Sequence, residues 1–229
     1  MKLATLPLAL ILAAAPLATA QNFLATYKGT PYTDSKHLVG AQPIPGIVQC
    51  AYYDSGGEGI AYHDTDAVNH GSGELNPANG TYLNEFSMHE GVDTSYTKFH
   101  SPDIPIDNNP YDLVTPPADQ LYVGWTEPGE WFNLTVNVSR AGLYTADLLY
   151  TSNRGGTISL DVNGTPTAPI TSPSTFSKDE PVAWRQWHHW NLLPNAATVQ
   201  LPAGRSVLTV HILTEGQMNL ATFNFKPAP

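Results

Sequence analysis

Five tryptophans in two short windows are the residues of this chain whose chemistry is easiest to interpret. One window holds Trp125 and Trp131, and the other holds Trp184, Trp187 and Trp190. The face of an indole ring stacks on the apolar C–H face of a sugar ring, while polar neighbours bond the sugar hydroxyls. A tryptophan in a loop beside Gly, Pro and Glu is poorly placed for a core. We therefore interpret Trp125 and Trp184 as binding residues and expect Trp131 and Trp187 to point inward.

Loop carboxylates are the next candidates for chemistry. The sequence has no nucleophile elbow, zinc-protease helix, phosphate-binding loop or dinucleotide fingerprint, but a glycosidase needs only two carboxylates at no fixed sequence spacing. A pair such as Glu90 with Glu127 could act as general acid and base, which would make the chain a hydrolase or lyase acting on polysaccharide. We favour solvated loop carboxylates over this enzyme interpretation. The residues that could supply such a pair are Glu58, Glu90, Asp93, Glu127 and Glu130.

Two short clusters contain side chains that bind divalent ions in other proteins, namely His63-Asp64-Thr65-Asp66 and His188-His189. Adjacent histidines on a strand point to opposite faces and could not share one ion there, so we expect no transition-metal site. Cys50 is the single cysteine, which excludes an intramolecular disulfide. Its apolar neighbours indicate a small buried hydrophobe.

The second half of the chain carries the elements that must position these residues. Phe132, Leu134, Val136 and Val138 alternate with polar residues, which is typical of a strand with one face in water. Asn163-Gly164 is a strong signal for a tight turn. Several strands joined by short turns predict an all-β fold, an antiparallel β-sandwich. The predicted strands cover Trp131 to Val138, Leu143 to Tyr150, Thr157 to Val162, Ser206 to Leu213 and Met218 to Phe225.

Composition limits the classes of function. The chain has 229 residues, 41% of them hydrophobic, which predicts a single domain. Its formal net charge of −10 excludes the basic surface that binds nucleic acid and disfavours an anionic membrane surface. Residues 70 to 120 are rich in Asn, Pro, Asp and Gly, which is typical of a long functional loop, unless short elements lie there unrecognised.

The first twenty residues have the pattern of a secretion signal. Met1-Lys2 supplies a positive start, Leu3 to Pro16 is nearly all apolar, and Ala18-Thr19-Ala20 matches a signal-peptidase site. The apolar run is shorter than the ~17–25 residues of a membrane-spanning helix. We therefore expect cleavage near Ala20, a polar arm over residues 21–42, and a module over residues 43–229 that is extracellular or periplasmic and not inserted in a membrane.

A series of short stretches between residues 43 and 226 follows the order of a known family. They are Ile44-Pro45-Gly46, Val48 to Asp54, Gly56 to Asp66, Asn84-Glu85 with Glu90 to Asp93, Tyr122 to Trp125 with Gly129-Glu130-Trp131, Trp184 to Trp187, and Met218-Asn219-Leu220. Together they resemble the family 6 carbohydrate-binding modules, in the calcium-containing jelly-roll group that includes families 35 and 36. This resemblance implies a jelly-roll β-sandwich that binds glycans in a cleft between loops at one end.

The resemblance also implies roles for individual residues. Two aromatic residues hold a sugar ring in this family, and the matching positions are Trp125 and Trp184. An asparagine in the last strand bonds the sugar, and it matches Asn219. Tyr62 and His63 lie where family members often place further cleft residues. The expected function is that of a secreted, non-catalytic protein that binds a polysaccharide or oligosaccharide.

The chain departs from the family at the usual calcium site. The acidic ligand positions correspond to Ala51 and Ala221, and only Gln49 retains an oxygen ligand. Because a hard cation needs several oxygens, we expect no tightly held calcium there and no other cofactor. The module takes most of the chain, so we expect it to be free-standing. A third interpretation, an adhesive protein whose aromatic residues dock another protein, also stays open.

Overall fold

The chain folds into two packed β-sheets in the computed structural model, which describes residues 22–99, 107 and 109–229. The expected signal segment over residues 1–20 lies outside the described residues. The strands are β1 (Gln42–Ile44), β2 (Gly46–Gln49), β3 (Tyr62–His63), β4 (Ser72–Gly73), β5 (Asn76–Pro77), β6 (Thr94–Tyr96), β7 (Leu121–Val123), β8 (Trp131–Val138), β9 (Gly142–Ser152), β10 (Gly156–Val162), β11 (Ile170–Ser172), β12 (Asn191–Leu201), β13 (Gly204–Thr214) and β14 (Met218–Pro227).

One sheet has the order β1-β8-β13-β10-β11, and β3 also pairs with β8. The other has the order β12-β9-β14-β7-β6, and β2 also pairs with β14. Pairing between the described strands is antiparallel except for β1 with β8 and β4 with β5. The expected antiparallel β-sandwich of the jelly-roll kind is confirmed. No helix in the described ranges is long and apolar enough to cross a membrane.

The core lies between the two sheets and is formed by the apolar positions of the alternating strands. Phe132, Leu134, Val136 and Val138 of β8 are all buried, as the alternation predicts. Cys50 is buried in the same cluster, and burial raises the pKa of its thiol well above the usual range. It is therefore an inert hydrophobic residue, as expected.

The opposite face of β8 is not in water, contrary to expectation. Asn133 and Thr135 are also buried, because the segment that precedes β3 covers them. Asp54 accepts hydrogen bonds from the Thr135 main-chain N (2.8 Å) and Oγ1 (2.6 Å), and Asn133 Nδ2 donates to the Ile60 main-chain O (3.0 Å). These bonds satisfy the polar groups that burial removes from water.

The Asn163-Gly164 turn forms as predicted. Both residues have positive φ, 49° and 73°, and Val162 and Thr165 exchange main-chain hydrogen bonds of 2.9 and 2.8 Å across it. This is the geometry that a two-residue turn requires.

Strand β12 was not predicted from the sequence. Pro194 and Asn195 interrupt its alternation, and its pairing with β9 shifts register between Leu193 and Ala197. β12 lies at the edge of its sheet, where a proline is tolerated because one side of the strand is unpaired.

The N-terminal segment from residue 22 and the described parts of residues 70–120 both pack against the sandwich. Residues 22–26 are helical, and the Tyr27 hydroxyl donates to Asp54 Oδ2 at 2.7 Å. The longer segment contains β4, β5 and β6, which are too short for a periodic signal. The loop of Trp125 (residues 124–130) and the loop of Trp184 (residues 173–190) both bond the described part of this longer segment.

Candidate functional site

Trp125 and Trp184 line one cleft of about 550 Å³. The structure therefore brings together the two tryptophans that the sequence analysis selected. The other residues that line this cleft are His70, Glu74, Leu75, Ser95, Tyr96, Lys98, Tyr122, Trp187 and His188. We call this surface the aromatic cleft. Its size lies within the range of roughly 300–1,000 Å³ that is typical of small-molecule sites.

The turn that follows β7 holds Trp125 in a strained conformation. Its φ is 49°, in the left-handed region that bulky residues rarely adopt. The next residue, Thr126, fixes the turn to the start of β14, because its main-chain O accepts from Gln217 N (2.6 Å) and its Oγ1 accepts from Met218 N (3.1 Å). Strain of this kind persists only where the surroundings hold it, and it is common at binding sites.

Close packing fixes the ring of Trp125. One side packs against the buried cluster that contains Tyr122 and Trp190. A Cβ on Gly71 would lie 3.1 Å from the indole and 2.0 Å from the main-chain O of Thr94. Only glycine therefore lets this part of the long segment pass so close to Trp125.

Trp184 lies on an exposed loop that is held by a buried ion pair. Trp184 is 50% exposed and is the middle residue of a short 3₁₀ turn, Ala183–Arg185. Glu180 is fully buried below it, and its Oε1 accepts from Arg185 Nη2 at 2.8 Å and from Val182 N at 3.0 Å. Gln186 Nε2 also donates to the Glu180 main-chain O at 3.1 Å.

Trp187 does not point into the core, and this expectation was wrong. It is half-buried and lines the aromatic cleft, with its ring centroid 3.9 Å from that of His188. Burial lowers the pKa of His188 to about 4, so this ring is neutral at pH 7. Its Nδ1 donates to the Trp184 main-chain O at 3.0 Å, which leaves Nε2 as a hydrogen-bond acceptor. The fully buried tryptophan of this window is Trp190.

Trp131 was also expected in the core but is half-buried. It is the first residue of β8, and its ring centroid lies 6.5 Å from those of His63 and His211. The structure places it outside the aromatic cleft, in a separate cavity lined also by Tyr27 and Lys28. The alternation of β8 begins at Phe132 and does not extend to the strand end.

Asn219 lies beneath the turn that carries Trp125. Its Oδ1 would lie 2.8 Å from a Cβ on Gly124, so the turn and β14 approach too closely for any other residue at position 124. Asn219 is buried, and its Nδ2 has no hydrogen-bond partner among the described residues. A buried donor in this state has a free-energy cost. Contrary to expectation, Asn219 does not line the aromatic cleft.

Tyr62 and His63 do not line the aromatic cleft. Tyr62 is buried in the core, where its hydroxyl accepts from Gly91 N at 3.2 Å. His63 Nδ1 lies 2.5 Å from Glu58 Oε1 at an exposed position. Tyr62 lies on the side of β3 that faces the core, so its side chain does not reach the cleft.

A second cavity of about 310 Å³ lies beside the aromatic cleft and shares His70, Trp125 and Trp187 with it. We call it the acidic cavity. It contains three of the five carboxylates considered above, while Glu58 and Glu90 line neither cavity. The further residues that line it are Asp64, Thr65, Asp66, Asp93, Glu127, Glu130 and Gln217.

Burial dominates the electrostatics of the acidic cavity. It raises the pKa of Asp64 to about 6 and the pKa values of Asp93 and Glu130 to about 7, and repulsion between neighbouring carboxylates adds to each shift. The folded protein therefore holds these protons more strongly than the unfolded chain does. Between about pH 4 and pH 7, its stability should fall as the pH rises.

We expect these three carboxyl groups to lower the unfolding free energy of the wild type by about 3 kcal/mol between pH 5 and pH 8. The figure is about half the full linkage value, because solvent reaches the cavity. Asp93→Asn keeps the oxygen that accepts from His70 N (2.5 Å) but cannot ionise. It should reduce this loss by about 1 kcal/mol. Urea titrations at both pH values measure the unfolding free energy of the wild type and the variant. Asp179→Asn, at an exposed position, is the control. An unchanged pH dependence in Asp93→Asn would contradict the assignment.

The positions of the usual calcium ligands hold apolar packing. Ala51 and Ala221 are fully buried in two hydrophobic clusters. The side chain of Gln49 bonds a protein group, since its Oε1 accepts from Gln120 Nε2 at 2.5 Å. Within the described part of the chain, no three His, Cys, Asp or Glu side chains are arranged to hold a metal ion. His188 and His189 lie in a loop and not on a strand.

Several residues of the aromatic cleft were not identified from the sequence. Tyr96 and Lys98 belong to the polar stretch at and after β6, and residues two apart on an extended chain lie on the same side. That spacing is the signal that could have found them. Tyr122 lies in the three-residue strand β7, and His188 enters the cleft through the path of its loop; neither has a periodic signal.

No family model and no curated protein matches this chain. Similar solved structures include a family 6 carbohydrate-binding module (12% identity, TM-score 0.45, covering 82% of this chain and 98% of the module). They also include a family 35 carbohydrate binding module from Clostridium thermocellum (21% identity, TM-score 0.37, 47% of this chain and 78% of the module). A cycloisomaltooligosaccharide glucanotransferase from Paenibacillus sp. is a third (16% identity, TM-score 0.38, 58% of this chain). The chain spans only 16% of that enzyme.

Proposed function

We propose that this protein is a secreted, non-catalytic carbohydrate-binding protein whose aromatic cleft takes a polysaccharide or oligosaccharide. The single observation that carries the proposal is the meeting of Trp125 and Trp184 in one cleft of about 550 Å³. They come from separate loops, and each loop is fixed by buried hydrogen bonds. The sequence pattern of residues 1–20 supports secretion.

The chemistry of the cleft favours a sugar over a purely apolar ligand. Indole rings offer flat apolar faces, while His188 Nε2, Ser95 and Lys98 supply polar groups between them. A pyranose ring needs both, because its C–H faces are apolar and its hydroxyls require hydrogen bonds. A concave site of this size also fits a small ring better than the flat core of a protein interface.

Asn219 is proposed as a residue that supports the site from beneath the turn of Trp125. Its unpartnered Nδ2 is enclosed under the turn and lies outside the lining of the cleft, so it would donate to a sugar hydroxyl only if the turn moved aside. Tyr62 and His63 are not included in the proposed site, because neither lines the cleft. The motifs shared with family 6 modules support the assignment of Trp125, Trp184 and Asn219.

Trp184→Ala should weaken glycan binding by about 10- to 100-fold, which corresponds to roughly 1–3 kcal/mol for the loss of a stacking anchor. The fold should stay intact, since half of this side chain is already in water. Phe176→Ala is a matched control, because Phe176 is 48% exposed but does not line the cleft. Isothermal titration with the tightest-binding glycan measures both variants. Equal effects of the two substitutions would refute the stacking role.

The test of the function is a glycan-array screen of the full chain, followed by recovery and sizing of the bound oligosaccharide. Binding to a related set of glycans that are recovered intact would support the proposal. Shortened products would support a hydrolase or lyase that uses Asp93 or Glu130 of the acidic cavity. The absence of binding to every neutral and charged glycan would reject the proposal and favour a protein ligand.

A further inference from the structure

Lys98 places a single ammonium group in the wall of the aromatic cleft. It is half-buried and lines the same cavity as Trp125 and Trp184. No other lysine or arginine is among the residues that line this cavity. The position of this charge therefore bears on which sugars the cleft accepts.

The direct contacts of the ammonium group with described residues are to neutral groups. Lys98 Nζ donates to Asn76 Oδ1, and it lies 4.8 Å from the ring centroid of Tyr96. Asn76 is buried and also bonds Ser95, so this end of the cleft is rigid. An ammonium has more donors than these contacts use, and the remaining ones can reach a ligand in the cavity.

No carboxylate among the described residues lies within 4.0 Å of Lys98 Nζ. The ion pairs of the other described lysines and arginines are Arg154–Glu215, Arg185–Glu180 and Lys226–Asp147. The nearby Asp107 bonds main-chain and indole groups instead, since it accepts from Lys98 N and from Trp190 Nε1. Partial burial lowers the pKa of Lys98, and the charge of Asp107 offsets this only in part.

We propose that the aromatic cleft selects glycans that carry an anionic substituent, a uronic-acid carboxylate or a sulfate ester, which pairs with Lys98. This inference rests on the proposed function and specifies its substrate class. A lysine is a point charge with rotatable donors, so it accepts either anion, whereas a planar bidentate site would use arginine. The stacked sugar ring would then lie with its charged group at the Lys98 end of the cleft.

The acidic character of the protein does not oppose this arrangement, because the local field near a ligand matters more than net charge. Glu74, which also lines the cleft, pairs with His70 at 2.9 Å. Glu130 and Asp93 belong to the acidic cavity, on the other side of Trp125 and Trp187. An acidic sugar would therefore bind in one orientation, with its neutral hydroxyls toward the carboxylates.

The test compares charged glycans with their neutral counterparts. Oligogalacturonides are paired with their carboxyl-reduced forms, and sulfated galactan oligosaccharides with their desulfated forms. We expect the wild type to prefer at least one charged form by about tenfold at low salt, with the preference falling at 0.5 M NaCl. The arm that shows the preference identifies carboxylate or sulfate as the anion.

Variants link the preference to one residue. Lys98→Gln should bring the charged and neutral forms to equal affinity, and Lys98→Arg should keep the preference. Lys36→Gln removes the same charge from an exposed position outside the cleft and should change nothing. If Lys98→Gln does not fold, the salt dependence of the wild type and the glycan preference of Lys98→Arg still test the inference.

Two outcomes overturn the inference alone. Equal binding of charged and neutral forms by the wild type would reject it while leaving the carbohydrate-binding function standing, and so would a preference that survives in Lys98→Gln. If neither form of either glycan binds and the array is also silent, both the inference and the proposed function fail.

Discussion

Replacing Trp190 by alanine should lower the free energy of unfolding by about 3–5 kcal/mol. Trp190 is fully buried and packs edge-on against Tyr122, with ring centroids 5.4 Å apart. Its Nε1 donates to Asp107 Oδ1 at 2.7 Å. The substitution would therefore open a large cavity and remove a hydrogen bond from a buried carboxylate, two effects that add.

Trp190 also joins the long segment to the loop of Trp184. Its main-chain N donates to Asp112 Oδ1 at 2.9 Å, and its main-chain O accepts from Leu113 N and Val114 N at 2.9 and 3.1 Å. Loss of the side chain should loosen both sides of the aromatic cleft. We expect Trp190→Ala to weaken glycan binding although Trp190 does not line the cleft.

Chemical denaturation of two further variants separates the causes. Trp190→Phe keeps much of the ring volume but loses the bond to Asp107, so it should cost about 1–3 kcal/mol. Trp184→Ala, at an exposed position, should cost less than about 1 kcal/mol. If Trp190→Ala were no more destabilising than Trp184→Ala, the central position of Trp190 in the packing would be disproved.

Glu180→Ala is expected to destabilise the protein by about 3–5 kcal/mol, the range for breaking a buried ion pair by removing one partner. Glu180 has no exposed side-chain surface and Arg185 is 11% exposed, so both charges are shielded from water. Burial alone would raise the pKa of Glu180, but hydrogen bonds from Arg185 and Val182 hold it below its usual value. The carboxylate is thus ionised and strongly bonded in the folded state.

The same substitution should weaken glycan binding by about tenfold or more, because Arg185 and Val182 flank Trp184 and would lose their common acceptor. Arg154→Ala breaks the exposed pair with Glu215 (3.2 Å) and serves as the control, with an expected cost below about 1 kcal/mol. Thermal and urea unfolding measure stability, and titration of the glycan measures affinity. A Glu180→Ala protein as stable as Arg154→Ala would show that the buried pair does not hold the loop.

The sequence pattern predicts some of the elements behind these expectations and misses others. The five strands predicted from alternation are present, since alternation reflects which face of a strand is buried. β12 was not predicted because Pro194 and Asn195 interrupt the alternation of apolar and polar residues. β4, β5 and β6 were missed because two or three residues carry no period.

In the two tryptophan windows, too, the sequence predicted some side-chain positions and missed others. Their composition was enough to select Trp125 and Trp184, because indole beside Gly, Pro and Glu is unusual for a core. It did not separate Trp187 from Trp190, and the buried residue is Trp190. In a loop, the direction of a side chain depends on where the main chain finds hydrogen bonds, here with Asp112 and Thr175.

The sequence by itself determined the β-sandwich, most of its long strands and the two loops that present aromatic residues, because these depend on local alternation and residue type. Only the tertiary structure decided that Lys98 enters the aromatic cleft and that carboxylates from several segments share the acidic cavity. The distances between these side chains depend on strand register and on loop packing between residues far apart in the chain. Burial, which sets the charge state of these groups, is a property of that packing and not of any short stretch of sequence.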